Sequence, residues 1–108
     1  MMDKSLADDP VLVRFRAALD SLYGARLDRV VLFGSRARGE GGRSSDYDVA
    51  VFLRSLPDRW LEFDRLADLR VRFLDETGAY FDAMPFASEA YRERMPLMDE
   101  IRRDGLDL

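Results

Sequence analysis

The sequence contains neither cysteine nor histidine. Without cysteine, a disulfide or a thiolate metal site cannot form, and without histidine the commonest general base and the imidazole ligand that zinc prefers are missing. A serine–histidine–aspartate triad is excluded for the same reason. Any metal ion must therefore be held by oxygen, which favours magnesium, manganese or calcium.

Lysine is almost absent as well, because Lys4 is the only one, and the net charge is −4. This acidic balance argues against a general nucleic-acid binder, which usually has a basic surface, so we expect no direct nucleic-acid partner. No apolar run approaches the roughly 20 residues that cross a bilayer, and no apolar signal core follows the N-terminus. These absences predict a cytoplasmic protein without a membrane partner.

The apolar residues that are present suffice for one core. With 108 residues, of which 47% are hydrophobic, the chain predicts a single domain over residues 1–108. The patterns predict helix 10–23, strand 27–33, a short helix after Gly34-Ser35, strand 47–53, a helix from 56–58 to about 75, strand 79–84 and a last helical segment capped by Ser88. This order predicts an α/β (α+β) fold, a small mixed sheet of about three core strands flanked by helices.

Apolar spacing and punctuating residues predict the inner faces and the ends of these elements. We expect the helices to turn the following side chains inward: Leu12, Phe15, Leu19 and Leu22 from the first, and Trp60, Phe63, Leu66, Phe73 and Leu74 from the long one. Asp9 is expected to cap the first helix, with Pro10 as its first helical residue, and Gly24 and Gly78 are expected to end the two helices. Pro85 is expected to end the third strand, and Pro96 to break or restart the last helix.

Two aspartates open the second strand. Alternate strand residues share a face, so Asp46 and Asp48 are expected to lie on the same side. Their like charges raise one pKa unless a cation neutralises them. Asp82 lies in an apolar strand and needs a partner or a metal, and beside the first two it would complete a site for two cations. Asp64 and Asp75 are weaker rivals of Asp82 because they fall in the long helix.

The first strand ends at Gly34-Ser35, which is typical of a phosphate-binding turn. Glycine lets a phosphate approach the backbone N–H groups, and the Ser35 hydroxyl can bond a phosphate oxygen. Arg36, Arg38 and Arg43 add positive charge and match phosphate with a bidentate fork. Each of these features alone also fits a plain loop, cap or solvated charge, and it is their combination that favours a nucleotide site.

Other nucleotide and metal motifs do not fit. Gly34 and Gly39 have the spacing of a P-loop, but Glu40-Gly41 stands where lysine and serine or threonine are required. No Gly-x-Gly-x-x-Gly follows a strand, which excludes the dinucleotide fingerprint. The residues after Asp48 are those of a strand and not of an EF-hand loop.

The combination resembles the DNA polymerase beta-like nucleotidyltransferase superfamily. The shared pattern is Gly34-Ser35, ten residues, then Asp46-x-Asp48, and the short length is similar to that of the minimal nucleotidyltransferases, the MNT class. The resemblance implies that Gly34 and Ser35, with Arg36 and Arg38 beside them, bind the triphosphate. It also implies that the aspartates act as catalytic and magnesium-binding groups, with Asp82 as the third acid.

The resemblance also implies a biological role. MNT proteins are often encoded beside a HEPN-domain toxin and act as its antitoxin, and some adenylylate a tyrosine of that toxin. The implied function is a Mg²⁺-dependent transfer, with two ions, of AMP from ATP to a hydroxyl of a HEPN toxin, in an assembly with that toxin and as a type VII-like antitoxin. Three alternatives stay open: an antitoxin that acts by binding alone, an aminoglycoside-like small-molecule nucleotidyltransferase, and a structural module with a solvated acidic edge. The acceptor, the nucleobase and the oligomeric state stay open too.

Overall fold

The secondary structure alternates between helices and strands, as predicted. The computed structural model describes residues 9–40 and 46–108, so Arg43 lies outside the described residues. The elements are α1 Pro10–Tyr23, a 3₁₀ turn Gly24–Arg26, β1 Leu27–Phe33, α2 Gly34–Ala37, β2 Tyr47–Leu53, α3 Arg59–Thr77, β3 Phe81–Ala87, a 3₁₀ helix Ser88–Arg92, α4 Pro96–Asp104 and β4 Leu106–Asp107. The predicted α/β class is confirmed, and the predicted short helix is present, although it begins at Gly34 and so includes Gly34-Ser35.

The four strands form one mixed sheet in the order β3-β2-β1-β4. β1 is antiparallel to both β2 and β4, whereas β2 and β3 are parallel. The three predicted core strands are present. The fourth strand was not predicted, because its two residues, paired with Val31 and Leu32, are too few to show a strand period.

Each face of the sheet has its own core. α1 and α3 cover the first face, where Phe15 stacks on Phe81 with ring centroids 3.9 Å apart. α4 and the second 3₁₀ helix cover the second face, around Phe52, Met98 and Ile101. β2 is buried on both faces, as its apolar sequence predicts. Even-numbered residues of β2 and β3 face the second core.

The ends of the two long helices follow the predicted signals. Asp9 caps α1, since its carboxylate accepts the Val11 N–H at 2.9 Å, and Pro10 is the first helical residue. Asp58 caps α3 in the same way through the Leu61 N–H at 3.1 Å. Gly78 ends α3 with a φ of 75°, a conformation that favours glycine.

The predicted inner face of α3 is partly wrong. Trp60 is 78% exposed and Leu74 is 43% exposed. Phe63 is partly buried. The buried side of α3 is formed by Glu62, Leu66, Leu69 and Phe73. Trp60 precedes Glu62 by two residues and therefore lies about 200° around the helix from it. The prediction that Leu22 of α1 faces inward was also wrong. Leu22 is 40% exposed, and the adjacent Tyr23 is buried instead.

The inner face of α3 was predicted incorrectly because an acid, Glu62, occupies an inward position. Glu62 is 2% exposed. Arg26 binds its carboxylate at 2.9 Å and Arg65 at 3.3 Å, so the buried charge is paired, as a buried charge must be. Burial and the nearby Glu62 carboxylate together raise the pKa of Tyr23.

The third strand continues past the predicted stop at Pro85. Among the described strands, β3 has β2 as its one neighbour in the order β3-β2-β1-β4 and is therefore an edge strand. An edge position tolerates proline because the missing N–H can face away from the ladder. Ser88 does not cap an α-helix: it begins a 3₁₀ helix without a side-chain capping bond. Pro96 is the first residue of α4, so a new helix begins there.

Across the two described ranges, no helix combines the length and the apolar character needed to cross a membrane.

Candidate active site

The strand register brings Asp48 and Asp82 side by side. Because β2 is antiparallel to β1 and parallel to β3, the end of β1 and the starts of β2 and β3 lie at one edge of the sheet. There Phe33 pairs with Asp48, and Asp48 pairs with Asp82. Both aspartates are partly buried and lie on the second face. The sequence-based condition for a shared site, that the strand of Asp82 adjoins that of Asp48, is met.

Gly34 follows β1 directly and packs against Asp48. Its φ is 77°, and a Cβ atom at this position would collide with the Asp48 carboxylate, lying 3.3 Å from Cγ and closer still to Oδ2. Both the backbone conformation and the contact therefore require glycine. The backbone then closes a tight turn, in which Ser35 O accepts the Glu40 N–H at 2.9 Å.

Among the described residues, the charged groups that act on Asp48 are all carboxylates. Burial raises the pKa of the Asp48 carboxyl, and the carboxylates of Asp82, Asp46 and Glu100 raise it further. Asp46 is exposed and precedes β2. An ion bound here would relieve the repulsion, and oxygen donors fit a hard cation such as magnesium or manganese.

The described residues do not form a complete metal site. Within residues 9–40 and 46–108, no three acidic side chains come together in a group that could hold a metal ion. Asp48 and Asp82 are adjacent, but Asp46 does not complete a ready-made group with them. The donors therefore match a hard cation in kind, and only two of the three expected carboxylates are paired in the sheet.

The two described arginines of the turn have different surroundings. The Arg38 Nε donates to Glu40 Oε1 at 3.1 Å and its Nη1 to Glu100 Oε2 at 3.2 Å. Arg36 places its guanidinium 4.0 Å from the centroid of the Tyr47 ring, and Tyr47 belongs to the first core. Arg38 thus lies near the acids, whereas Arg36 packs on the ring of a residue that faces the other way.

Tyr47, between the two motif aspartates, anchors the start of β2. Its ring stacks on Phe81 with centroids 4.8 Å apart, and its hydroxyl donates to Asp9 Oδ2 at 2.9 Å. Burial and this bond to Asp9 raise the pKa of the Tyr47 hydroxyl. The same aspartate therefore caps α1 and fixes the strand that carries Asp48.

The rival acids and one unforeseen acid are placed clearly. Asp64 and Asp75 are exposed on α3, which packs on the first face, away from Asp48. Glu100 of α4 lies near both Asp48 and Arg38, although the sequence analysis did not single it out. The available signal was weak: a lone glutamate beside the inward-facing Met98 and Ile101.

Comparison with known proteins agrees with this arrangement. The model of the nucleotidyltransferase domain family matches residues 12–103, which covers most of the chain. The chain therefore belongs to the nucleotidyltransferase domain family, and the resemblance stated from the Gly-Ser and Asp-x-Asp motifs is confirmed.

Relatives of known name or structure extend the comparison. "Putative protein adenylyltransferase MJ0604" of Methanocaldococcus jannaschii is 28% identical over 88 residues, which is 82% of this chain and 82% of the relative. A crystal structure of a toxin–antitoxin with AMP-PNP has a TM-score of 0.60 and 21% identity, over 87% of this chain and 69% of the other. A mutant MntA-HpeT toxin–antitoxin has a TM-score of 0.58 and 19% identity, over 85% and 68%. At these identities the structural likeness supports the fold.

Proposed function

We propose that this protein transfers AMP from ATP to a hydroxyl of a partner protein, in a reaction that depends on Mg²⁺. The observation that carries the proposal is the contact of Gly34 with Asp48, which itself pairs with Asp82. A turn suited to phosphate and two carboxylates suited to a cation therefore meet at one edge of the sheet. Membership of the nucleotidyltransferase domain family supports the reaction class.

The partner we propose is a HEPN-domain toxin, with a tyrosine as acceptor and this chain as its antitoxin. The name of the M. jannaschii relative supports a protein acceptor, and the similar crystal structures of toxin–antitoxin pairs support a toxin partner. ATP is the proposed donor, supported by the presence of AMP-PNP in one of those crystals.

Each site residue has a proposed task. The backbone N–H groups at Gly34 and Ser35 would bind the triphosphate, and the missing Cβ of Gly34 leaves room for the Asp48 carboxylate beside them. Arg38 would contribute a positive charge beside them. Asp46, Asp48 and Asp82 would hold the metal, and two magnesium ions, when bound, supply charge neutralisation for the triphosphate and activation of the acceptor hydroxyl.

The proposed transfer is a single in-line displacement. The acceptor hydroxyl oxygen forms a bond to the α-phosphorus of ATP while the bond from that phosphorus to the bridging oxygen of pyrophosphate breaks. Asp82 accepts the hydroxyl proton, and pyrophosphate leaves with the electron pair of the broken bond. The protein contributes positioning and charge stabilisation and needs no nucleophile of its own, which suits a chain without cysteine or histidine.

The test is the intact mass of the partner toxin after incubation with this protein, ATP and magnesium. We expect a gain of one or more AMP units, and loss of that gain in the double variant Asp46→Asn with Asp48→Asn. Asp64→Asn is the matched control, because this exposed acid of α3 should leave the transfer unchanged. If the double variant still protected cells from the toxin at full strength, neutralisation by binding alone would replace the proposal.

A further inference from the structure

Within the described residues, Arg38 forms ion pairs with two acids, Glu40 and Glu100, and of these Glu100 lies on another element. Glu40 follows it by two residues in the same turn, and its side chain is 62% exposed. Glu100 lies 62 residues away on α4, and its side chain is 31% exposed. The bond to Glu100 therefore connects Arg38, directly after α2, to α4.

α4 is a firm support for Glu100. Its inward residues Met98 and Ile101 are 0% and 1% exposed. The Gly105 N–H closes its end on Ile101 O at 2.9 Å, and β4 then pairs with β1. A helix that is packed along one side and joined to the sheet at its end holds the backbone of Glu100 in a fixed position relative to the sheet.

Glu100 also lies close enough to Asp48 to influence its charge. Its carboxylate is one of the groups that raise the Asp48 pKa. Glu100 is therefore near both Asp48 and the guanidinium of Arg38. Two roles are conceivable for it: it could position Arg38 beside the turn, or it could act through Asp48 on the metal site.

We propose that Glu100 is a positioning residue that holds Arg38 at the Gly34-Ser35 turn, where Arg38 contacts the triphosphate. The inference rests on the proposed function, since it assumes that the turn binds ATP. The ion pair fixes the direction of a long side chain, which lowers the entropy lost when the phosphate binds. Glu40 cannot fix the direction of the Arg38 side chain relative to the rest of the fold, because it is exposed and lies in the same turn as Arg38.

The experiment measures AMP-PNP binding by calorimetry and steady-state kinetics of AMP transfer, both with magnesium. We expect E100Q to weaken AMP-PNP binding by about fivefold to tenfold, which is within the range of one hydrogen bond of ordinary net strength. The KM for ATP should rise to a similar extent, while kcat changes by less than about twofold. E40Q is the matched control, because it removes the other partner of Arg38, and it should change neither quantity by more than about twofold.

A double-variant cycle separates the two roles. If Glu100 acts through Arg38, the variant carrying R38A and E100Q should bind AMP-PNP no more weakly than R38A alone. Additive losses would overturn the inference, as would a change in the magnesium dependence of E100Q with an unchanged KM for ATP. Unchanged AMP-PNP binding by E100Q would overturn the inference about Glu100 and leave the proposed function standing. Failure of the unsubstituted protein to bind AMP-PNP would overturn both.

Discussion

Gly34 carries two constraints in one residue: its positive φ and its contact with Asp48. Gly34→Ala should cost about 1–2 kcal/mol from the left-handed backbone and more from the clash with the carboxylate. Gly39→Ala is the matched control, since Gly39 has a φ of 74° but no atom of the described residues beyond its chain neighbours lies within 4 Å of its Cβ position. We expect urea unfolding to show a larger loss of stability for Gly34→Ala. Equal losses for the two variants would contradict the contact with Asp48.

The pKa of Asp48 predicts a gain of stability on its removal. A carboxyl whose pKa is raised in the folded state adds stability that is fully present below its unfolded pKa and is lost as the pH rises through the folded value. At pH 7 and without metal, the ionised Asp48 therefore destabilises the fold. Asp48→Asn should raise the free energy of unfolding by at most on the order of 1 kcal/mol, because Asp48 is partly exposed and solvent screens its charge.

The measurement is the thermal midpoint in EDTA at several pH values. The gain of Asp48→Asn over the unsubstituted protein should be present at pH 7 and vanish at acid pH, where Asp48 is protonated in both the folded and the unfolded state. Asp64→Asn, an exposed change on α3, should stay within about 0.5 kcal/mol. A loss of stability in Asp48→Asn at neutral pH would rule out the repulsion described here.

At the scale of elements, α3 tests the corrected inner face. Phe73 is 2% exposed and Trp60 is 78% exposed, and the ring of Phe73 meets those of Phe15 and Phe81 edge-on. Phe73→Ala should cost about 3–5 kcal/mol in urea unfolding, whereas Trp60→Ala should cost less than about 1 kcal/mol. If Phe73→Ala is too unstable to purify, Phe73→Leu should show a smaller loss that still exceeds that of Trp60→Ala. The reverse order would restore the inner face expected from the sequence.

Element positions could be predicted from the sequence wherever a local signal decides them. Proline at the start of α1 and glycine after α3 act within one turn of the backbone, so both ends were found. The face of α3 was missed because its buried stripe includes Glu62, whose charge is compensated by Arg26 from another element. The course of β3 through Pro85 depends on its edge position in the sheet, which is a property of topology and not of the strand's own residues.

At the scale of the whole molecule, some residues of the candidate site could be predicted from local signals, whereas others depend on how the strands and helices pack. Gly34 and Asp48 were singled out from local strand patterns and from the motif spacing, and the contact between them follows from the antiparallel pairing of β1 and β2. Asp82 lies beside Asp48 only because β3 pairs in parallel with β2. Glu100 reaches Arg38 across 62 residues, and no local pattern predicts such a contact.

The whole domain should become more stable when ATP and magnesium bind, because the edge that joins β1, β2 and β3 exists in the folded state alone. At a ligand concentration of about 100 times Kd, binding adds about 2.7 kcal/mol, which raises the Tm of a domain of this size by more than about 10 °C. Removal of the metal with EDTA should abolish the rise. Differential scanning fluorimetry with ATP alone, magnesium alone and both together measures these terms.

The variant carrying Asp46→Asn and Asp48→Asn makes this test decisive. In EDTA its Tm should exceed that of the unsubstituted protein, since the repulsion at Asp48 is gone, yet ATP with magnesium should add little to it. A simple structural defect would instead lower the Tm in EDTA, so the shift and not the absolute Tm reports on the site. Asp75→Asn, on the opposite face of the sheet, should keep the full shift. An equal shift in the double variant would place ATP and magnesium somewhere other than the edge formed by Gly34, Asp48 and Asp82.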